Sequence, residues 1–326
     1  MGIENNRKQK KLWLGLCIMA LALILLGTVA QGRGKLVLTY NPMPLNVPSI
    51  VMKNMGFLEE AAGELGLDVE YKEFLAGYLM TEAMAAGELD IAAVMGGTSS
   101  ITSYSGGRDL QIFAAYGQAP AGFAVVTKAD SPLEGVEALK GKVVGLPIGT
   151  ETHLLLGKAL QEAGLSLKDV QTVNMLVPDA VAALMAGQID AACVVETVLS
   201  NLTGQGRIRV LRDGSGLMMG LTVSTTRKAL LEEKPEALVA YLKAHARSLE
   251  FMQTEPEKTL ELVAKETKLP PELAQSIMAK YVFEPAIGPD ILDALEDTAQ
   301  FLKEIGVISE SIVIKDLVDT TIIEGL

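Results

Sequence analysis

Met84-Ala-Ala-Gly-Glu-Leu-Asp-Ile-Ala-Ala-Val-Met-Gly-Gly-Thr-Ser-Ser100 reads as the end of one helix, a short buried strand and the start of another helix. Ala83 to Ala86 have the composition of a helix end, and Gly87 supplies the left-handed residue that stops it. Leu89 to Met95 is an apolar run suited to a buried parallel strand. Gly96 and Gly97 open a tight turn, and Thr98, Ser99 and Ser100 are expected to cap the helix that follows. The phrase returns as Met185-Ala-Gly-Gln-Ile-Asp-Ala-Ala-Cys-Val-Val-Glu-Thr197, so that Ala86, Gly87 and Asp90 match Ala186, Gly187 and Asp190 at a spacing of 100 residues. A helix–Gly–strand unit used twice at that spacing predicts two similar α/β lobes. Solenoid repeats have much shorter periods, roughly 20 to 50 residues.

The chain has 326 residues, enough for about two domains. Of its charged groups, 28 are basic and 40 acidic; four basic residues and one acidic residue fall within residues 1–30, leaving a body with 24 basic and 39 acidic groups. No basic stripe stands out in that acidic body to hold phosphates, so nucleic acid is not an expected partner. Cys17 and Cys193 lie in an apolar segment and a predicted strand, and no disulfide is expected. The only histidines, His153 and His245, belong to no Cys/His cluster or HExxH motif, so no metal site is expected.

Arg7 to Lys11 form a basic patch, and Leu12 to Ala30 then run for 19 residues without charge. Thr28 and Ala30 occupy the −3 and −1 positions of a possible cut. Residues 1–30 are thus expected to be an export signal, or an anchor if left uncut. Either way the body faces outward, in a periplasm or on the outer face of the cytoplasmic membrane.

Along the body, Lys35–Tyr40 predicts a strand and Asn41–Pro48 a loop whose three prolines bar a regular helix. Ser49–Leu65 predicts a helix interrupted near Gly56, Leu67–Phe74 a strand, Gly77 a turn, and Leu79–Ala86 a helix. With the strand quoted above and Leu110–Tyr116, this is the β-α alternation of a mostly parallel sheet. Gln118–Gly122 reads as a crossing into a second lobe with strands at Phe123–Thr127, Lys142–Leu146, Val170–Leu176, Ile189–Val195 and Ile208–Leu211. Gly214–Ser224 reads as the return crossing, and from Thr226 the chain is helical, with Leu238, Leu242, Leu249 and Met252 at helical spacing. The expected limits are 35–117 with 225–326 for lobe one and 118–224 for lobe two, in a monomer.

Gly87-Glu-Leu-Asp-Ile-Ala, Gly96-Gly-Thr, Leu139-Lys-Gly-Lys-Val-Val-Gly, Gly149-Thr-Glu-Thr-His153, Ala163-Gly-Leu and Gly187-Gln-Ile-Asp-Ala-Ala together give the order of a known family. From about Lys35 onward the chain resembles the aliphatic sulfonate, nitrate and taurine class of solute-binding proteins of ABC importers, and their relatives that bind a thiamine pyrimidine precursor. The resemblance implies a type II periplasmic binding fold, two α/β lobes joined by two crossings with the ligand between them. It also implies a membrane permease as partner and that no cofactor is needed. The chain departs from the family pattern at Val195-Glu196-Thr197, where Trp-Asp-Pro or Trp-Glu-Pro is common, and at Gly77-Tyr78, where Gly-Pro is common.

Ligands of open α/β sheets bind beyond the carboxyl ends of the strands. Four stretches fall there: Asn41–Ser49 with Leu45 and Asn46, Gly96–Ser100, Gly149–His153, and Glu196-Thr197. Gln118 is a further candidate at the outward crossing. Two of the stretches start helices, whose unpaired N–H groups and dipoles can hold an anion without a basic side chain. Gly97, Thr98, Ser99, Thr150 and Thr152 are the expected anion contacts, as backbone or hydroxyl donors. His153 either donates to an oxyanion or is a satisfied residue of the first helical turn; His245 is expected in the core. Asp90 and Asp190, at the opposite strand ends, are expected to bind backbone N–H groups. Glu196 is equivalent to Gly96 in the echoed unit, and a buried acid there needs a partner. That partner is either a ligand's protonated nitrogen or a protein Lys or Arg. Glu151 is read only as favouring its helix dipole.

No Gly-x-Ser-x-Gly, P-loop or dinucleotide fingerprint occurs, so a binding protein rather than an enzyme is expected. The function read from the chain is that of an extracytoplasmic receptor for a small anionic or zwitterionic ligand, sulfonate- or taurine-like. The alternatives are an amino-pyrimidine-binding protein or synthase-like enzyme, and a ligand sensor domain.

Overall fold

The computed structural model describes residues 33–325. The expected export signal or anchor and Cys17 lie outside the described residues. From Lys35 onward the chain forms one compact unit built on two five-stranded sheets. The first contains β1 (Gly34–Thr39), β2 (Leu67–Lys72), β3 (Ile91–Gly96), β4 (Gln111–Gln118) and β10 (Leu221–Thr226), in the order β2-β1-β3-β10-β4. The second contains β5 (Phe123–Lys128), β6 (Val143–Leu146), β7 (Gln171–Asn174), β8 (Ala191–Val195) and β9 (Ile208–Asp213), in the order β7-β6-β8-β5-β9.

Each sheet keeps a parallel core and admits one antiparallel strand. Leu38 of β1 pairs in parallel with Ile91 of β3, and β6 runs parallel to both β7 and β8. The antiparallel members are β10, between β3 and β4, and β5, between β8 and β9. Both arrive directly from the other sheet, which is why they enter against the local direction. The stretch read as the return crossing therefore splits: Leu221 to Ser224 already belong to the first sheet, leaving Gly214–Gly220 to connect.

Helices cover the sheets. In the first lobe, α1 (Val47–Met55) and α2 (Phe57–Glu64) meet at Gly56, whose φ of 69° breaks the predicted long helix. α3 (Gly77–Ala85) begins at Gly77 itself, where a turn was expected, and α4 (Gly97–Ser105) follows β3 without a loop. In the second lobe, α5 (Glu151–Glu162), α6 (Val177–Met185) and α7 (Val198–Gly204) follow β6, β7 and β8 in turn. The C-terminal helices include α8 (Lys228–Glu233), α9 (Pro235–Thr254), α10 (Pro256–Thr267), α11 (Pro271–Met278) and α12 (Pro289–Glu304). They return to the first sheet: Leu238, Tyr241 and Leu242 of α9 pack with Leu36, Leu38, Ile91 and Phe113. Burying a side chain such as Leu238 contributes about 1.5–3 kcal/mol.

The sequence echo is a structural echo. Gly87 and Gly187 have φ of 72° and 71°, so each stops its helix in the left-handed region. Asp90 Oδ2 accepts the Val37 N–H at 2.9 Å, and Asp190 Oδ2 accepts the Val143 N–H at 2.9 Å. The antiparallel strands add a matching bond, with Thr226 donating to the Asp90 carbonyl at 2.7 Å and Thr127 to the Asp190 carbonyl at 2.8 Å. Both aspartates thus do the backbone work expected of them.

His245 lies in the core, with its ring 5.1 Å from that of Tyr116. Neither ring nitrogen has a hydrogen-bond partner among the described residues. Burial lowers its pKa from 6.5 to about 4. Between those values the unfolded chain binds a proton that the folded ring refuses, so this group removes stability as pH falls through that window. His245→Phe is expected to raise the melting temperature by more at pH 5 than at pH 8, with about 1–3 kcal/mol gained from removing the unpaired polar ring. Thermal unfolding at the two pH values checks this; an equal shift at both would contradict it.

Candidate functional site

α4 and α5 begin at the carboxyl ends of β3 and β6, one in each lobe. The first N–H groups of any helix lack partners within it. At α4 the expected hydroxyl caps do not form. No side chain of the helix caps it; the Ser100 hydroxyl bonds the Gly96 carbonyl at 2.9 Å, and the Thr102 hydroxyl bonds the Thr98 carbonyl at 3.1 Å. The cap comes from the other lobe. Glu151, the first residue of α5, accepts the Thr98 backbone N–H through Oε1 at 2.7 Å. A Cβ on Gly96 would overlap that carboxylate, so the approach depends on glycine.

Glu151 is 7% exposed. Burial pushes its carboxyl above the usual carboxylate range, while its own backbone N–H, the Thr98 N–H and hydroxyl and the Ser99 N–H pull it back. A second bond ties the same two turns: the Thr102 hydroxyl donates to the Gly149 carbonyl at 3.0 Å. Gly149 itself has φ of 79°. The sequence had assigned Glu151 no role beyond its helix dipole, and the structure corrects that.

The remaining candidates sort by position. Three cavities border Glu151, and two of them adjoin. One, of about 160 Å³, is lined by Asn41, Leu45, Asn46, Phe74, Met80, Phe123, Val195 and Tyr281 as well as Glu151. The other, of about 150 Å³, shares Leu75, Met80, Val94, Phe123 and Val195 with it and reaches Ser99, Thr150 and Thr152. Gly97 and Thr98 border a third cavity, of about 370 Å³, beside Lys158 and Met219. The Thr150 hydroxyl donates to the Pro147 carbonyl at 2.8 Å and lies 2.7 Å from the Thr152 hydroxyl.

Three expected residues do not line these cavities. His153 is buried, and its Nδ1 accepts the Gly149 N–H at 3.2 Å. Burial lowers its pKa to about 4, so the ring is neutral at pH 7 and braces the loop. Gln118 bonds through its backbone to Val282, at 2.8 and 3.0 Å, at the outward crossing. Glu196 is 1% exposed, and its carboxylate is held by Lys280, with the Ser200 hydroxyl at 2.8 Å and the Ser200 N–H at 3.2 Å. Of the two partners left open for this acid, the structure selects the protein cation. Lys280, just beyond α11, comes from a part of the chain where no sequence signal pointed to the site; Tyr281, beside it, was likewise missed. Among the described residues no group of three His, Cys, Asp or Glu is placed to hold a metal ion.

A family model described as NMT1/THI5 like matches residues 46–259, and the chain belongs to that family. A protein of Escherichia coli named an aliphatic sulfonates-binding protein is 28% identical over 64% of this chain, which spans 66% of that relative, just under two thirds. A Bacillus subtilis protein of the same name is 26% identical over 85% of this chain and 84% of its own. Among solved structures, the alkanesulfonate-binding protein of Xanthomonas axonopodis pv. citri superposes with a TM-score of 0.79 at 21% identity, over 89% of this chain and 99% of that one. The chain therefore has the periplasmic binding protein fold, two α/β lobes with a cleft between them.

Lys280→Met is expected to leave Glu196 as an uncompensated buried charge and to cost about 3 kcal/mol, since removing one partner of a buried pair is strongly destabilising. The loss in the double variant with Glu196→Gln should be smaller. Urea unfolding of both measures it; a loss under about 0.5 kcal/mol for Lys280→Met, the size of an ordinary surface substitution, would show the pair to be idle.

Proposed function

We propose that this member of the NMT1/THI5-like family is the extracytoplasmic solute receptor of an ABC importer. It takes a small anionic or zwitterionic solute, sulfonate- or taurine-like, between its lobes. The observation that carries this reading is the convergence of both lobes' helix-starting turns, through Glu151, on adjoining cavities walled by residues of both sheets. The family and the names of the sulfonate-binding relatives supply the solute class.

In this reading the Ser99 hydroxyl holds the anionic group, with Gly97 and Thr98 shaping the turn behind it, and Thr150 and Thr152, whose hydroxyls are bonded to each other and to the Pro147 carbonyl, hold the facing turn in place. Leu45 forms apolar wall, and Asn46 lines the same cavity. Gln118, bonded to Val282, belongs to the crossing about which lobe two closes on lobe one. His153 and Glu196 act by holding the second lobe in shape. The closed form is the one a membrane permease engages, and no turnover of the solute is involved. Residues 1–30 export the chain or leave it anchored on the outer face of the membrane, as a monomer.

A thermal-shift screen of alkanesulfonates, taurine and nitrate on the full chain, followed by calorimetry, tests the reading. Ser99→Ala is expected to weaken the best sulfonate by about 10- to 150-fold, the equivalent of 1.5–3 kcal/mol for a desolvated donor to a charged group. Absence of any shift across the sulfonates and taurine would contradict the solute class.

A further inference from the structure

The cavity beside Tyr281 carries two acceptors, on Asn46 and Glu151. Asn46 is 3% exposed. Its Nδ2 donates to the Asn41 carbonyl at 2.6 Å, which fixes which way the amide faces. Its Oδ1 is buried and has no hydrogen-bond partner among the described residues. An orphaned buried acceptor costs free energy that a bound donor recovers. The cavity that Asn46 lines is also lined by Glu151, and Leu45, Phe74, Met80 and Phe123 supply apolar wall.

The charge balance points the same way. Among the described residues lining the two adjoining cavities there is no Lys, Arg or His. Lys158 lines the neighbouring cavity, which Glu151 also borders, and sits over the Phe301 ring at 5.6 Å. The Thr98 N–H at the α4 terminus already serves Glu151. A purely anionic guest would lie beside the Glu151 carboxylate with no side-chain cation in the same two cavities, whereas a protonated nitrogen would pair with it.

We propose that Asn46 and Glu151 form a nitrogen-recognition site, and that the solute has an apolar body ending in a primary ammonium or amino group. One N–H bonds Asn46 Oδ1 and another the Glu151 carboxylate. This rests on the cleft being the solute site, and selects, within the anionic or zwitterionic class, the members that carry nitrogen. Glu151 then has the role the sequence offered to Glu196.

Calorimetry on the full chain with matched pairs tests it: taurine against ethanesulfonate, 3-aminobenzenesulfonate against benzenesulfonate, and benzylamine against benzyl alcohol. In at least one pair the nitrogen-bearing member should bind tenfold tighter or better. Glu151→Gln and Asn46→Leu should each shrink that preference, read as the ratio of the two affinities within a pair, at least fivefold. Melting curves establish that each variant is folded, and if Glu151→Gln is not, Asn46→Leu decides. Preference for benzylamine that depends on Glu151, with no sulfonate bound, would support the nitrogen site and remove the sulfonate reading. Equal binding within every pair, no binding by any nitrogen compound, or a preference that survives in the folded variants would overturn the proposal.

Discussion

A single carboxylate crosses from one lobe to the first turn of a helix in the other. Glu151 meets the Thr98 N–H at 2.7 Å, in a place almost closed to solvent. Burying a charge is costly unless it is hydrogen-bonded, and a helix N-terminus provides N–H groups with a favourable dipole. Much of the local architecture follows from that need. Gly96 must lack a side chain for the carboxylate to fit, α4 must begin directly at the end of β3, and Gly149 must adopt positive φ so that α5 starts with Glu151 against the opposite turn. Two adjoining cavities walled by residues of both sheets border these turns.

The two lobes show one plan put to different ends. Gly87 and Gly187, and Asp90 and Asp190, repeat the same backbone duties at the far side of each sheet. At the cleft end the copies part. Lobe one places Gly96 where it admits a carboxylate from its partner lobe; lobe two places Glu196 at the equivalent position and fixes it with Lys280 and Ser200. That second carboxylate ties β8 to the segment after α11, so the C-terminal chain bonds the second lobe as well as covering the first sheet.

Local signals in the sequence carried the helix stops, the buried strands and the two-lobed plan, because a left-handed glycine and an apolar run act within a few residues. The same was true of the roles of Asp90 and Asp190, which bond backbone close to their own strands. Three features depended on distant parts of the chain and were not legible. Insertion of β10 between β3 and β4 is a matter of sheet order rather than of local pattern. The pairing of Glu196 with Lys280 joins residues 84 apart in the chain. Glu151 looked like an ordinary first-turn acid because its partner, Thr98, lies 53 residues earlier in the other lobe. Of the candidate site, Leu45, Asn46, Ser99, Thr150 and Thr152 were reached from the rule that strand ends face the cleft, and His153 and Gln118 were brought near it without lining it.

The contact on which the account rests can be observed at one amide. An N–H in the first turn of α4 has no partner within its own helix, so protection of Thr98 from hydrogen exchange depends on Glu151. Exchange at Thr98, followed by NMR in the wild type and in Glu151→Ala, is expected to be at least tenfold faster in the variant, with the core amides of β3 unaltered. Equal protection of Thr98 in both proteins would show that the carboxylate does not hold the two lobes' turns together.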